Sequence, residues 1–273
     1  MNPLHLIKLE WNKYSPNGTF RMIAILYAGS LVLAYFLVCK VGMNMTFNMN
    51  GTAYNPTLGL FEYPHNWELL AYIGSWMNMF LLGFLGVFMM TLEFSNRTLR
   101  QSVIFGMTRM EVASSKLAWA VVLALAVSGF ALLVGLVSEV LTGSMLGAPP
   151  AGCALSFFLQ ALGYLLLGNL VGLLIRQTAL AAMGYLAYVL FLETACRWAC
   201  YFCIAKTRLL LFLPHQVLDS LTPFHFPDSV NHLIADSQVL ANQLAPAEAT
   251  MAALFYIGLF ALLFCLKIVK SDL

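Results

Sequence analysis

The sequence predicts an all-α integral membrane protein: six transmembrane helices, an N-terminal interfacial helix, and a short cytoplasmic helix between spans two and three. Three observations carry that expectation. Of 273 residues, 61% are hydrophobic and only 10% are charged, whereas a soluble domain holds roughly 25% charged residues. Six apolar stretches reach or approach the ~20 residues that a bilayer-crossing helix needs. They lie at about 20–39, 69–92, 114–141, 153–175, 178–204 and 250–268. Lysines and arginines, finally, collect at one set of span ends.

Helices are preferred over a barrel because the runs do not alternate. Leu117-Ala-Trp-Ala-Val-Val-Leu-Ala-Leu-Ala-Val127 is apolar throughout, whereas barrel strands alternate apolar and polar residues. Before the first span, Leu4, Ile7, Trp11 and Tyr14 recur at helical spacing, with Lys8, Glu10, Asn12 and Lys13 between them. That pattern predicts an interfacial helix within residues 1–18, ended by Pro16-Asn17-Gly18. The first long apolar run begins near Phe20 and has the length of a span, with no small-residue cleavage site behind it. It reads as a retained span rather than a signal peptide.

Six spans put both termini on one side. Lys8, Lys13, Arg21, Arg97, Arg100, Arg109, Lys116, Arg176, Lys267 and Lys270 fall there, against Lys40, Arg197, Lys206 and Arg208 opposite. Positive charge marks the cytoplasmic side, so both termini are expected in the cytoplasm. The net charge of +2 gives no reason to expect a nucleic-acid partner. Residues 205–249 are expected to form an external segment, with a short amphipathic helix over 229–244. No repeat is evident, and 1–273 reads as a single transmembrane domain.

The most informative stretch runs from Glu93 to Lys116. Ser95 is expected to cap a helix of about ten residues, and Gly106 suits the left-handed residue that ends it. Thr108 and Glu111 have the spacing of a capping box that starts the next helix. A basic loop that merely fixes topology would not need Leu99, Val103, Ile104 and Phe105. That apolar side wants lipid or a protein groove.

Glu93-Phe-Ser-Asn-Arg-Thr-Leu-Arg100, Gly106-Met-Thr-Arg109 and Ser115-Lys116 resemble the cytoplasmic segment of type-2 ATP-binding-cassette (ABC) exporter permeases. Leu6-Ile-Lys-Leu-Glu-Trp-Asn-Lys13 is similar to that family's N-terminal connecting helix. The likeness is strongest to small stand-alone bacterial permeases, and close over about 24 residues. It implies an inner-membrane permease subunit that forms a translocation path and exports its substrate. The helix between spans two and three would be a coupling helix, where a separate cytoplasmic ABC ATPase docks. Arg97, Thr98, Leu99, Arg100, Val103, Phe105, Gly106, Arg109 and Glu111 are the residues expected at that contact. A second permease copy or paralogue is implied, with ATP and magnesium held by the partner ATPase. The chain itself has no G-x-x-x-x-G-K-[ST] loop, so it is expected to be a transport subunit, not an enzyme, that binds no cofactor or metal.

Other constellations stay open. Glu193 and Arg197 stand four apart in the fifth span, spaced for an intramembrane charge pair. Glu139 lies near the outer end of the third span. Cys196, Cys200 and Cys203 share a helix side, and Met43, Met45 and Met49 cluster in the first external loop. Both sets read first as packing residues, second as soft-metal ligands. His65, His215, His225 and His232 are expected outside. With Glu193 they define the competing reading, an intramembrane enzyme; a channel or scaffold is the third.

Overall fold

The computed structural model describes residues 3–45, 47–49, 52–54, 58–61, 63–142, 149–196, 199, 208–224 and 244–270. Six of its helices are long and apolar enough to cross a membrane, so the chain is a multi-pass, helical membrane protein. In order, α1 is Pro3–Tyr14 and α2, the first span, is Gly18–Met43. A small antiparallel ribbon follows, β1 (Phe47–Met49) against β2 (Thr52–Tyr54), with Phe47 opposite Tyr54. The second span α3 is His65–Ser95, the short helix α4 is Thr98–Ile104, and the third span α5 is Arg109–Thr142. The fourth and fifth spans are α6 (Ala151–Ile175) and α7 (Thr178–Cys196). The short α8 (Pro214–Asp219) precedes the sixth span α9 (Pro246–Lys270).

The first elbow is made locally. After α1, the Asn17 side chain accepts hydrogen bonds from the Thr19 and Phe20 amides, at 2.9 and 3.4 Å, and starts α2.

α3 and α6 form the buried centre, and the other spans wrap them. Their backbones touch through glycine. A Cβ on Gly168 would lie 2.1 Å from the Gly83 carbonyl oxygen, and one on Gly86 would lie 2.6 Å from that of Leu165. Small residues allow this approach, which compensates for the lack of a hydrophobic drive between helices in lipid. α3 widens to a π-turn over Asn78–Leu82 and α7 does so over Tyr188–Leu192. Tyr185 of α7 donates its phenol to the Met79 carbonyl in the widened turn of α3, at 2.6 Å. Such turns expose backbone groups that a neighbour can use.

A line of buried polar groups crosses the bundle. Tyr27 of α2 donates to Asn78 Oδ1 at 2.7 Å, and Asn78 Nδ2 donates to Gln160 Oε1 at 3.3 Å. Gln160 Nε2 in turn donates to the Leu218 carbonyl at 3.0 Å and to Thr222 Oγ1 at 2.9 Å. Gln160 lies roughly 14 Å along α6 from its first residue. α8 and the turn after it therefore reach well into the bundle, with Leu211, Val217, Leu218 and Leu221 buried. Part of the segment expected outside is woven into the protein. Irregular backbone survives at such depth when protein covers it.

Two local expectations need correction. Ser95 does not cap the short helix: it is the last residue of α3, because the chain stays wound through Asn96, whose amide bonds the Leu92 carbonyl at 2.9 Å. Arg97, in the left-handed region at φ 54°, makes the break instead, and α4 runs seven residues rather than ten. The inward stripe of α1 is Leu6, Glu10 and Tyr14, and Trp11 is 53% exposed. A carboxylate displaces the expected apolar residue because a buried cation waits for it.

Candidate functional site

That cation is Lys116, two turns into α5. Its ammonium donates to Glu10 Oε2 at 2.5 Å, to the Tyr14 hydroxyl at 3.1 Å, and to Glu93 Oε1 at the end of α3. An ammonium has three donors, and all three are used. The Tyr14 hydroxyl in turn donates to Glu93 Oε1 at 3.0 Å. Ser115 donates to Glu10 Oε1 at 3.3 Å, and Thr98, the first residue of α4, donates to Glu93 Oε2 at 2.5 Å. Glu10, Glu93 and Lys116 are 1%, 3% and 5% exposed. Lys13 completes the charge balance from the rim, 3.6 Å from both Glu10 and Glu93.

This arrangement is a knot of four helices: α1, α3, α4 and α5. Desolvating three charges is costly, and only complete pairing and hydrogen bonding offsets it. Burial raises the Tyr14 phenol well above its usual range, against the pull of Lys116. The hydroxyl therefore stays a neutral donor. Aromatic packing seals the knot, with Trp119 6.4 Å from the Tyr14 ring and Phe20 6.1 Å from it on near-parallel planes.

Beyond the knot the elbow turns outward. Leu99 is buried, Val103 is half-buried, and Arg97 and Arg100 are exposed. Ile104 and Phe105 are 80% and 86% exposed. Gly106, at φ 94°, ends the turn in a conformation that glycine adopts without strain. Thr108 and Glu111 form the expected reciprocal capping box. Glu111 Oε2 accepts from the Thr108 amide at 2.9 Å, and Thr108 Oγ1 accepts from the Glu111 amide at 3.2 Å. Arg109 turns back, donating Nη1 to the Val269 carbonyl at 2.8 Å near the end of α9.

The nine residues expected at the elbow thus divide. Arg97, Arg100 and Phe105, joined by Ile104, form an exposed tip. Thr98, Leu99, Arg109 and Glu111 hold the elbow's own architecture, with Val103 beneath and Gly106 at the turn. Sequence reasoning missed the Glu10–Tyr14 side of the knot. The signal was present, since Leu6, Glu10 and Tyr14 are spaced i, i+4 and i+8, but a glutamate on that stripe reads as a polar-face residue.

Two other buried carboxylates lie toward the opposite ends of the spans. Glu193 accepts from the Tyr188 phenol, from the His215 amide at 3.0 Å, and from the Gln216 amide at 3.3 Å. It caps the first turn of α8 across the bundle. His215 Nδ1 sits 2.9 Å from the Tyr164 hydroxyl. Arg197 lies outside the described residues, as do Cys200, Cys203, His225, His232 and the side chain of Met49. Glu139 accepts from Asn66 at 3.1 Å and from the Trp67 indole at 2.7 Å, joining α5 to the start of α3.

Compared with protein-family models and with curated proteins, the chain finds no match in either.

Proposed function

We propose that this chain is the membrane-spanning permease subunit of an ABC exporter, working with a separate cytoplasmic ATPase. One observation carries the reading: an exposed basic and apolar tip, Arg97, Arg100, Ile104 and Phe105, stands on a buried ionic knot that ties it to three other helices. Topology alone asks for the arginines, but not for an exposed phenylalanine standing on a fully bonded mount. The residues that suggested the family, Glu93, Thr98, Arg109 and Lys116, are the same ones that build the mount.

In this reading α1 lies along the cytoplasmic leaflet of a bacterial inner membrane, both termini are cytoplasmic, and α4 is the coupling helix. ATP and magnesium bind the partner ATPase. Closure of the ATPase pair presses on the tip. The knot passes the displacement to α1, α3 and α5 together, because a buried and fully bonded ion cluster deforms less readily than its surroundings. The α3–α6 contact carries it to the bundle centre. Two such chains, or one with a paralogue, enclose the path.

The test is a pull-down of the tagged chain from native membranes, wild type against Arg97→Glu/Arg100→Glu. A nucleotide-binding ATPase is expected with wild type and at least tenfold less of it with the variant, about 1.4 kcal/mol of docking energy. Recovery of no ATPase from an expressing strain under gentle detergent sinks the reading.

A further inference from the structure

The outer face of α1 is chemically unlike its inner one. His5, Lys8, Trp11 and Asn12 are exposed, while Leu6, Glu10 and Tyr14 face the bundle. Arg21, one turn into α2, is also exposed, and its Nε donates to the Ser15 carbonyl at 2.6 Å. That bond fixes the guanidinium beside the elbow. Between α1 and α5, Trp11 stands edge-on to Trp119, with ring centroids 6.1 Å apart.

Trp119 is only 3% exposed, yet its indole Nε1 has no hydrogen-bond partner among the described residues. An indole nitrogen is a donor only, and a buried donor left unbonded is costly. Other buried donors around it are satisfied, including the Tyr14 hydroxyl against the same ring. The ring packed edge-on against Trp119 is Trp11, itself half exposed. At a membrane interface the abundant acceptors are lipid phosphate and carbonyl oxygens, and tryptophan concentrates there.

We propose that α1 and the first three turns of α5 form a headgroup site for an anionic phospholipid of the inner leaflet. Trp119 donates its indole N–H to a phosphate oxygen once Trp11 swings aside, and Lys8 and Arg21 supply the positive charge. Three features argue for lipid over a protein groove. The site adjoins α1 and the first three turns of α5, Lys8 of α1 and Arg21 of α2 are exposed, and the cytoplasmic leaflet carries negative surface potential. The inference rests on the orientation given under Proposed function, but not on the ATPase.

The experiment is native mass spectrometry of the purified full chain, titrated separately with phosphatidylglycerol, phosphatidylcholine and inorganic phosphate. Wild type is expected to hold one phosphatidylglycerol about tenfold more tightly than phosphatidylcholine. Trp119→Phe keeps the stacked ring and removes the donor, and is expected to lose about tenfold in affinity for either lipid. Lys8→Glu/Arg21→Glu, both at exposed positions, is expected to abolish the preference for the anionic lipid. Trp11→Ala removes the edge-on ring without touching the donor, and is expected to bind more tightly. Anionic-lipid affinities unchanged in Trp119→Phe and in the charge-reversed variant overturn the site. Inorganic phosphate competing at equal concentration overturns the assignment to lipid. Green fluorescent protein fused to the N-terminus folds only in the cytoplasm, so a dark fusion overturns the orientation. Because ATPase pull-down is expected to be unaffected by Trp119→Phe, failure here and failure of the exporter reading are told apart.

Discussion

Lys116→Met is expected to destabilise the protein by about 3–5 kcal/mol, because removing one member of a buried ion cluster strands the others. Methionine fills much of the lysine stem volume, so the loss reports charge rather than packing. Glu10 and Glu93 would then face each other across a dry gap, with only the rim ammonium of Lys13 among the described residues, 3.6 Å away, to balance them. Denaturant unfolding in mixed micelles measures the effect. The triple variant Glu10→Gln/Glu93→Gln/Lys116→Met is expected to recover more than half of the loss, since the uncompensated charges go with the cation. A single variant that costs less than about 1 kcal/mol would mean that water reaches the knot and that it is no rigid mount.

Gly168→Leu is expected to be worse still, failing to accumulate in the membrane or losing at least about 3 kcal/mol. The first side-chain carbon alone would sit 2.1 Å from the Gly83 carbonyl oxygen. Backbone cannot rotate away as a side chain can, so α3 and α6 must separate. That separation would undo the Asn78–Gln160 bond between the same two helices, 3.3 Å long. Gly29→Leu is the control, because nothing lies within 4 Å of a Cβ built there. Its expected effect is small, with the gain in helix propensity over glycine in its favour. Equal yields and equal unfolding midpoints for the two variants would show that the helices do not meet as closely as the geometry requires.

The sequence made some features legible and hid others for physical reasons. The spans were readable because the bilayer sets a length that composition reveals. Five of the spans came out close to their expected runs, extended at their ends where polar residues such as Asn66 and Glu68 continue the winding, while the fifth is described only to Cys196 of the 178–204 expected. The Gly106 turn and the Thr108–Glu111 box were readable because their partners lie within a few residues of each other. Ser95 misled because a cap depends on where the preceding helix stops, and α3 holds Ser95 as its last residue with the break at Arg97. The Glu10–Lys116 bond joins residues 106 apart, and no local pattern announces it. Nor does any pattern show that 208–222 folds back inside: the run is too short for a span and contains Pro214, so it reads as loop. Glu193 looked like half of a pair along its own helix; Arg197 lies outside the described residues, and the described partners are Tyr188 of the same helix and the first amides of the incoming α8.

The polar line from Tyr27 to Thr222 also constrains how the chain is made. Synthesis runs from the N-terminus, so Asn78 enters the bilayer while Gln160 has yet to be translated. During that interval its amide has Tyr27 of the preceding span as its one native side-chain partner among the described residues, and the second span is a half-finished guest in the lipid. Release comes only when the fourth span arrives, and the line closes only when Leu218 and Thr222 follow. Nascent chains stopped before Gln160 are therefore expected to hold the second span loosely, extractable by alkaline carbonate, whereas chains stopped after Thr222 resist it. Tyr27→Phe should widen that gap in time, since it takes away the early partner and leaves the finished protein short of one bond.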